Sequence, residues 1–274
     1  MVTVIDYSSP GPLTSLHGAH LEAVEPLPTG IVDVCGLAAG LVIQPNDAQA
    51  FGLPDERFPQ NQIRPVGELV DALLSLDSRP LTVRREPNHR VIGTCRHFAV
   101  ISCALLRHRG IASRVRCGFA TYFQPGKGLD HWITEYWNDV EHRWVRIDSE
   151  ILGQSILEHP EDLRAEQFLS GGEAWTAFRQ GRIDAATFGV HGTANWGPAE
   201  IRGNAIKDLA ALNKIETLPW DEWGRMTTSH NGETGADYDS LLDTIAVTAA
   251  GDDLHAIAEL YAHEELRVPA ELIR

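Results

Sequence analysis

The chain has 274 residues, of which 43% are hydrophobic and 22% are charged. This composition is typical of a folded globular protein and excludes a disordered or fibrous one. The 38 acidic side chains outnumber the 23 basic ones, so the formal net charge is −15. We therefore expect no nucleic-acid partner and no binding to an anionic membrane, because a net-acidic chain could bind either only through a segregated basic surface.

The four cysteines contain no CxxC pair, which argues against a disulfide framework or a zinc site. Three of them, Cys35, Cys103 and Cys117, lie within apolar patterns and are expected to be core residues. The sequence shows no secretory signal, no run of roughly 18 apolar residues that could span a membrane, and no EF-hand spacing. We expect a cytoplasmic protein with reduced thiols, no metal and no other cofactor.

The N-terminal part is predicted to be largely helical. Residues 1–20 contain prolines and glycines, which indicate an irregular surface arm. Apolar residues at helical spacing predict one helix over 29–44 and a second over 66–74. We expect residues 1–87 to form a helical portion that belongs to the same domain as the segment that follows.

Residues 95–109 are apolar on most sides and predict a buried helix. Thr94 suits the N-cap and Gly110 the position after the C-cap, so Cys95 is expected to be the first helical residue. The backbone N–H groups and the dipole at a helix N-terminus stabilise an anion, which lowers the pKa of a thiol. Cys95 is therefore the candidate nucleophile, and the same N–H groups could stabilise an oxyanion.

Three strand patterns follow this helix, over 113–123, 131–137 and 143–149. If the last two form a hairpin, one register places His131 directly opposite Asp148, with Cβ atoms about 4.5–5.5 Å apart. Asp148 would then orient the imidazole and favour its charged form, which completes a set of nucleophile, base and orienting acid. A shift by one residue would put Asp148 on the other face of the sheet.

After residue 150 the sequence predicts mostly helices. Their expected ranges are 160–170, 173–180, 199–213, 238–249 and 253–265. Glycine- and threonine-rich loops over 187–198 and 224–236 separate some of them and are long enough to be functional. Helices on both sides of a helix-and-strand segment favour an α+β fold over alternating βαβ units. We expect 151–274 to be a helical extension packed on a core formed by 88–150.

Basic residues are concentrated in one segment of this acidic chain. Residues 79–116 contain nine arginines but a single acid, Glu86. In one interpretation these arginines pair with acidic helices of the C-terminal half, since guanidinium groups suit buried ion pairs. In the other, some of them bind a carboxylate or phosphate group of a substrate.

Several motifs between residues 88 and 150 resemble the core of the transglutaminase-like superfamily. They are Gly93-Thr94-Cys95 with Phe98, Ala99 and Leu105 to Arg107, Gly110-Ile111 with Arg114, Gly118 and Phe119, His131-Trp132 with Glu135 to Trp137, and Trp144 to Asp148. The order of Cys, His and Asp also agrees with that family. The resemblance implies a papain-like α+β fold in which a central helix carries the cysteine and packs on an antiparallel sheet.

The resemblance also implies roles for individual residues. Cys95 would be the nucleophile, His131 the general base and acid, and Asp148 the orienting acid. The second oxyanion donor of the family, a side chain upstream of the cysteine, has no clear counterpart here, and Asn88 and Gln62 are the candidates. Apart from the resemblance, Trp132 and Trp196 are candidates for contacts with the substrate. Trp132 is a strand aromatic, which could line a cleft or fill the core, and Trp196 lies in the loop over 187–198.

Two classes of function remain open at this point. The first is a cysteine enzyme that acts on an amide or ester of a small molecule or peptide through a thioester, with hydrolysis as the default and transfer to an amine as the alternative. The second is a catalytically dormant transglutaminase-like module that binds a partner. The sequence leaves the substrate, the acyl acceptor and the oligomeric state open.

Overall fold

The computed structural model describes residues 5–273, with 43% of the chain in helices and 13% in strands. The predicted α+β class is confirmed. The residues divide into two compact units. The first, here called the cysteine unit, contains Asp6–Val115 and Ile133–Leu163, and the second, the C-terminal unit, contains Arg116–Trp132 and Arg164–Ile273. The division into 1–87, 88–150 and 151–274 stays a prediction.

The cysteine unit contains five helices and two short strands before the main sheet. They are α1 (Ala19–Val24), α2 (Ile31–Gly36), β1 (Val42–Ile43), α3 (Pro45–Ala50), α4 (Val66–Leu76), β2 (Val91–Ile92) and α5 (Cys95–His108). Three 3-10 segments connect them, over Ala38–Gly40, Asp55–Gln62 and Pro87–His89. Helices α4 and α5 confirm two of the predicted helices.

The single helix predicted over 29–44 is wrong in its second half. Helix α2 ends at Gly36, a 3-10 turn follows, and Val42 begins β1, which pairs in parallel with β2. The apolar spacing fits a helix throughout, but the backbone of this segment forms hydrogen bonds with β2, 49 residues further along the chain, as in the pair Val42↔Val91. A long-range pairing has therefore overridden the local pattern.

Residues 1–4 of the predicted irregular surface arm lie outside the residues that the structure describes. For 5–18 the irregular backbone is confirmed, but the surface position is wrong for several residues. Tyr7, Leu13 and Thr14 are buried. Arg107 Nη1 donates a hydrogen bond to the Thr14 hydroxyl (2.8 Å), and the Ser113 N–H donates one to the Tyr7 carbonyl (3.0 Å). Prolines and glycines prevent regular structure in this segment, but they do not prevent its burial.

The main sheet has five strands. They are β3 (Ser113–Ala120), β4 (Gly128–Asn138), β5 (Arg143–Ile147), β6 (Phe168–Ser170) and β7 (Phe188–Gly189). The order is β5-β4-β3-β6, and β7 pairs with β4 in parallel. The β4–β5 and β3–β6 pairs are antiparallel. In the cysteine unit, the Thr134 hydroxyl of β4 donates a hydrogen bond to the Ala99 carbonyl (3.0 Å), so α5 contacts β4 there.

The predicted β4–β5 hairpin forms, but the register that places His131 directly opposite Asp148 is wrong. Thr134 pairs with Ile147, and one further step in the same register would bring Ile133 opposite Asp148. The partner of each residue is thus displaced by two positions. Because successive side chains alternate between faces, a displacement of two leaves every residue on its predicted face.

The turn of this hairpin explains the displacement. The Asn138 side-chain oxygen accepts hydrogen bonds from the N–H groups of Val140 (3.0 Å) and Glu141 (3.2 Å), and His142 has a positive φ of 51°. Asn138 therefore starts the turn and pairs with Arg143. Turn geometry sets the register of a hairpin, and the strand patterns alone do not contain that information.

The C-terminal unit contains the remaining helices. They are α6 (Gly171–Arg179), α7 (Pro198–Leu212), α8 (Met226–His230), α9 (Ala236–Ala250) and α10 (Leu254–Tyr261). Helices α6, α7, α9 and α10 confirm predicted helices, but the helix predicted over 160–170 is wrong, because its last residues form β6. There Gly118 pairs with Ser170, and a Cβ at Gly118 would lie 2.0 Å from the Leu169 carbonyl oxygen. Within residues 5–273, every helix is too short or too polar to cross a membrane.

Candidate active site

Cys95 is the first residue of α5, as the sequence predicts. Thr94 is the N-cap residue, with extended backbone, and its carbonyl accepts the N–H groups of His97 (2.8 Å) and Phe98 (3.4 Å). The helix has 14 residues and is buried from Cys95 to Arg107. The first N–H groups of any helix have no acceptor within it, so the positive end of the α5 dipole lies at the cysteine.

The side chain of His97 closes this end of α5. Its Nδ1 accepts a hydrogen bond from the Thr94 N–H (3.0 Å), and its Nε2 lies 3.1 Å from the Ile63 carbonyl oxygen, to which it donates. This pattern assigns the proton to Nε2, since Nδ1 is the acceptor. Burial, together with the neighbouring Arg96 guanidinium, lowers the pKa of His97 to about 3, so the ring is neutral at physiological pH.

Gly93 leaves room for that imidazole. A Cβ at this position would lie 2.7 Å from Cγ and 2.8 Å from Cβ of His97, closer than real Cβ atoms approach. The other side of Gly93 is also crowded, with Val42 Cγ1 at 3.0 Å. The glycine two residues before the cysteine is thus required by packing against the helix cap.

Asp148 follows β5 directly, and the segment after it is firmly held. The Asp148 N–H donates to the Pro160 carbonyl (2.9 Å), and its side-chain oxygen accepts the N–H of Glu150 (3.0 Å). Between them, the Ser149 hydroxyl accepts a hydrogen bond from the buried Ser102 hydroxyl of α5 (2.7 Å). The Asp148 carboxylate is therefore positioned relative to the helix that begins at the proposed nucleophile.

Gln44 connects the start of α5 with the segment after Asp148. It follows β1, and the Gly93 N–H donates to the Ile43 carbonyl (3.0 Å), so Gln44 lies beside the residues that lead into Cys95. Its Nε2 donates to Glu150 Oε1 (2.8 Å). Sequence reasoning missed Gln44, because this segment was predicted to be part of a helix and no spacing marks the residue.

His131 lies on β4 in the C-terminal unit and is surrounded by aromatic side chains there. The Phe123 ring centroid is 5.0 Å and the Tyr122 centroid 6.2 Å from the imidazole centroid, both in edge-to-face geometry. The preceding residue, Asp130, accepts a hydrogen bond from Asn204 Nδ2 (2.8 Å), and burial raises the pKa of its carboxyl group. The strand predicted over 113–123 ends at Ala120, so Tyr122 and Phe123 lie beyond it, and no spacing in the sequence marks them as neighbours of His131.

Asn88 and Gln62 occupy different positions relative to Cys95. Asn88 is exposed and precedes β2, whereas Cys95 follows this strand, so they lie at opposite ends of it. Gln62 is also exposed and donates to the Asn61 side chain (2.8 Å). Gln62 directly precedes Ile63, whose carbonyl accepts hydrogen bonds from α5. Of the two candidates for the side-chain oxyanion donor, Gln62 therefore lies nearer to the start of α5.

The two tryptophans proposed for substrate contacts also differ. Trp132 is only 1% exposed, and its Nε1 has no hydrogen-bond partner among residues 5–273. Trp196 lies in the loop before α7, where its Nε1 donates to the Thr193 carbonyl (3.1 Å) and Lys127 Nζ is 5.0 Å from its ring centroid. Trp196 therefore offers the more accessible ring.

The arginine-rich segment is largely paired within the protein. Arg116 forms two hydrogen bonds with Asp208 of α7 (2.9 and 2.7 Å), as the first interpretation predicts. Arg114 instead pairs with Glu135 of β4 (2.7 Å), and Arg109 donates to backbone carbonyl groups of residues 28 and 29. A role of this segment in binding an anionic substrate stays a prediction.

The described residues contain no group of three or more His, Cys, Asp and Glu side chains that could hold a metal ion. Comparison with protein families finds a match to the transglutaminase-like superfamily over residues 77–149, a range that includes Cys95, His131 and Asp148. No match was found among curated proteins or among solved structures.

The family match covers the start of α5, the β3–β4 segment and β5, and thus the same motifs on which the resemblance in the sequence depends. Members of this superfamily generally catalyse with a cysteine. Residues 77–149 are thus similar to the transglutaminase-like superfamily, and the resemblance seen in the sequence is confirmed.

Proposed function

We propose that the protein is a cysteine acyl-transfer enzyme that hydrolyses an amide or ester, with Cys95 as nucleophile, His131 as general base and acid, and Asp148 as orienting acid. The observation that carries this proposal is the position of Cys95 at the start of a 14-residue buried helix within the transglutaminase-like core. A helix N-terminus stabilises a thiolate and supplies N–H donors for an oxyanion.

The reaction divides into two acyl transfers. The Cys95 thiolate attacks the carbonyl carbon, a carbon–sulfur bond forms, and the bond to the leaving amine or alcohol breaks as His131 donates a proton to that group. Water then attacks the thioester while His131 accepts its proton, the carbon–sulfur bond breaks to restore the Cys95 thiolate, and the free acid leaves. Asp148 favours the charged imidazole in both steps. Gln62 is proposed as a side-chain donor to the oxyanion, and Trp196 as a contact for the substrate.

The surroundings of Asp148 support its assignment. The carboxylate is buried, and three hydrogen bonds hold residues 148–150 to α5, to the end of β1 and to the Pro160 carbonyl. An orienting acid must keep a constant direction relative to the nucleophile, and such bonds supply that rigidity. The face alternation along β4 and β5 is also compatible with a His131–Asp148 pair.

The test uses p-nitrophenyl acetate as acyl donor at neutral pH. We expect a burst of nitrophenol and one acetyl group on the Cys95 peptide, detected by mass spectrometry. Cys95→Ala should abolish the acetyl-enzyme, and Asp148→Asn should slow turnover about 10²–10⁴-fold. Cys117→Ala serves as a matched control, because it removes a buried thiol that lies on β3 and not on α5.

Full turnover in the Cys95→Ala variant would contradict the proposal. An acetyl-enzyme that is resolved by added methylamine faster than by water would keep the nucleophile but change the reaction to transfer. A chain that acquires no acetyl group from this ester, although Cys95 is accessible to iodoacetamide, would instead favour a dormant binding module.

A further inference from the structure

The capping box at the start of α5 contains an unusual residue. In such boxes the third helical residue is ordinarily Glu or Gln, whose side chain accepts the N–H of the N-cap residue. Here His97 takes this position and accepts the Thr94 N–H at 3.0 Å. A histidine instead of Glu or Gln matters here because this position is only two residues from Cys95, in the first turn of the helix.

The His97 imidazole performs a second task that a carboxylate could not. Its Nε2 donates to the Ile63 carbonyl at 3.1 Å, and this contact joins α5 to the segment after the 3-10 helix Asp55–Gln62. A carboxylate has no proton to donate at neutral pH, so it would face the Ile63 oxygen with like charge. The neutral ring is thus both an acceptor toward Thr94 and a donor toward Ile63.

We propose that His97 is a positioning residue that closes the N-terminus of α5 without placing a negative charge beside the Cys95 sulfur. An acidic cap would stabilise the helix equally well, but its charge would oppose formation of the thiolate. With a neutral cap, no negative charge opposes the stabilisation of the Cys95 thiolate by the positive end of the helix dipole. This inference rests on the proposed role of Cys95 as nucleophile.

Charged groups of both signs are found near this helix end, but none of them is the capping group itself. Arg96 lies on α5 itself and donates to the Ile63 carbonyl at 3.5 Å, and Arg64 follows Ile63 in the chain. On the side of β1, the carboxylate of Glu150 is hydrogen-bonded to Gln44. The groups that contact His97 directly, from Gly93, Thr94 and Ile63, do not titrate.

The test measures the rate of Cys95 alkylation by iodoacetamide between acidic and alkaline pH, with peptide mapping. His97→Glu keeps a capping acceptor but adds a charge, whereas His97→Gln keeps both an acceptor and a donor and stays neutral. We expect His97→Glu to raise the midpoint of labelling by about one pH unit, which is a tenfold slower reaction below the midpoint. His97→Gln should keep the midpoint of the unsubstituted protein.

A second pair of variants covers the case in which His97→Glu does not fold. Thr94→Asp adds a charge at the half-buried N-cap, and Thr94→Ser is its neutral control. A raised midpoint in a folded acidic variant, absent from its neutral control, supports the proposal. An unchanged midpoint in the folded acidic variants overturns it, even if they are less stable to urea. Alkylation needs no substrate, so the labelling midpoints of the variants can be compared whether or not the protein transfers acyl groups. Absence of acyl transfer would disprove the proposed function without affecting this test of His97.

Discussion

The first turn of α5 and the middle of the same helix both contain a buried cysteine, but their surroundings differ. At the first turn, Cys95 lies where helix N–H groups lack internal acceptors. Eight residues further on, Cys103 Sγ lies 3.5 Å from the Ser113 hydroxyl, deep in the cysteine unit. Next to it, burial and then the neighbouring Cys103 raise the pKa of the Cys35 thiol to about 12.

Burial raises the pKa of a thiol, because removal from water disfavours the thiolate, so a buried cysteine needs a further stabilising feature to act as a nucleophile. Cys95 is almost as buried as Cys35 and Cys103, at 7% exposure against none. What distinguishes Cys95 is its position at the end of the helix, with the dipole and the neutral cap beside it.

The largest expected effect is the difference in reactivity between the two regions. With a pKa of about 12, the Cys35 thiol is ionised in about one molecule in ten thousand at pH 8. We therefore expect iodoacetamide to label Cys95 at least about 10³-fold faster than Cys35 in the folded protein. Labelling in urea is the control, since all four thiols should then react alike. Equal rates in the folded protein would remove the distinction between the two regions.

A smaller effect is expected from Gly93→Ala, which changes the packing of the cap. The added Cβ would lie 2.7 Å from His97 Cγ, and relief of this overlap should cost about 3 kcal/mol of unfolding free energy. Urea denaturation measures this change. Gly36→Ala is the matched control, because its Cβ would meet no atom within 4 Å. Equal stability of both variants would show that the cap can move aside.

The smallest effect is a pH dependence of stability. The pKa of His97 is about 3 in the folded protein and 6.5 when it is unperturbed, so below pH 6.5 the unfolded chain binds a proton that the folded one does not. Stability from this residue is complete above pH 6.5 and is lost as the pH falls toward 3. Between pH 7 and pH 5 the loss should be about 2 kcal/mol. His97→Gln should lack this part of the loss. If urea denaturation gives the same dependence of unfolding free energy on pH for this variant and the unsubstituted protein, the prediction is contradicted.

Predictions from the sequence are most successful where the signals lie close together in the chain. Thr94, the apolar run after it and Gly110 define α5 within 17 residues, and Gly110 has the positive φ of 71° expected there. The start of this helix, and hence the position of Cys95, follows from capping and burial alone.

Predictions fail where a segment is held by a distant partner. Residues 42–43 and 168–170 have helical spacing in the sequence, but strands β2 and β3 pair with them. The hairpin register depends on the Asn138 turn and differs from the predicted one by two positions. In each case the hydrogen bonds of a neighbouring strand outweigh the local preference.

The α+β class, the buried helix and the position of Cys95 at its first residue follow from local signals, because these depend on side chains within a few turns of one another. The surroundings of that helix end depend instead on contacts between distant segments. His97 and Ile63 are separated by 34 positions, Ser102 and Ser149 by 47, and Gln44 and Glu150 by 106. No periodicity encodes such pairs, since each depends on the complete path of the chain between its two residues.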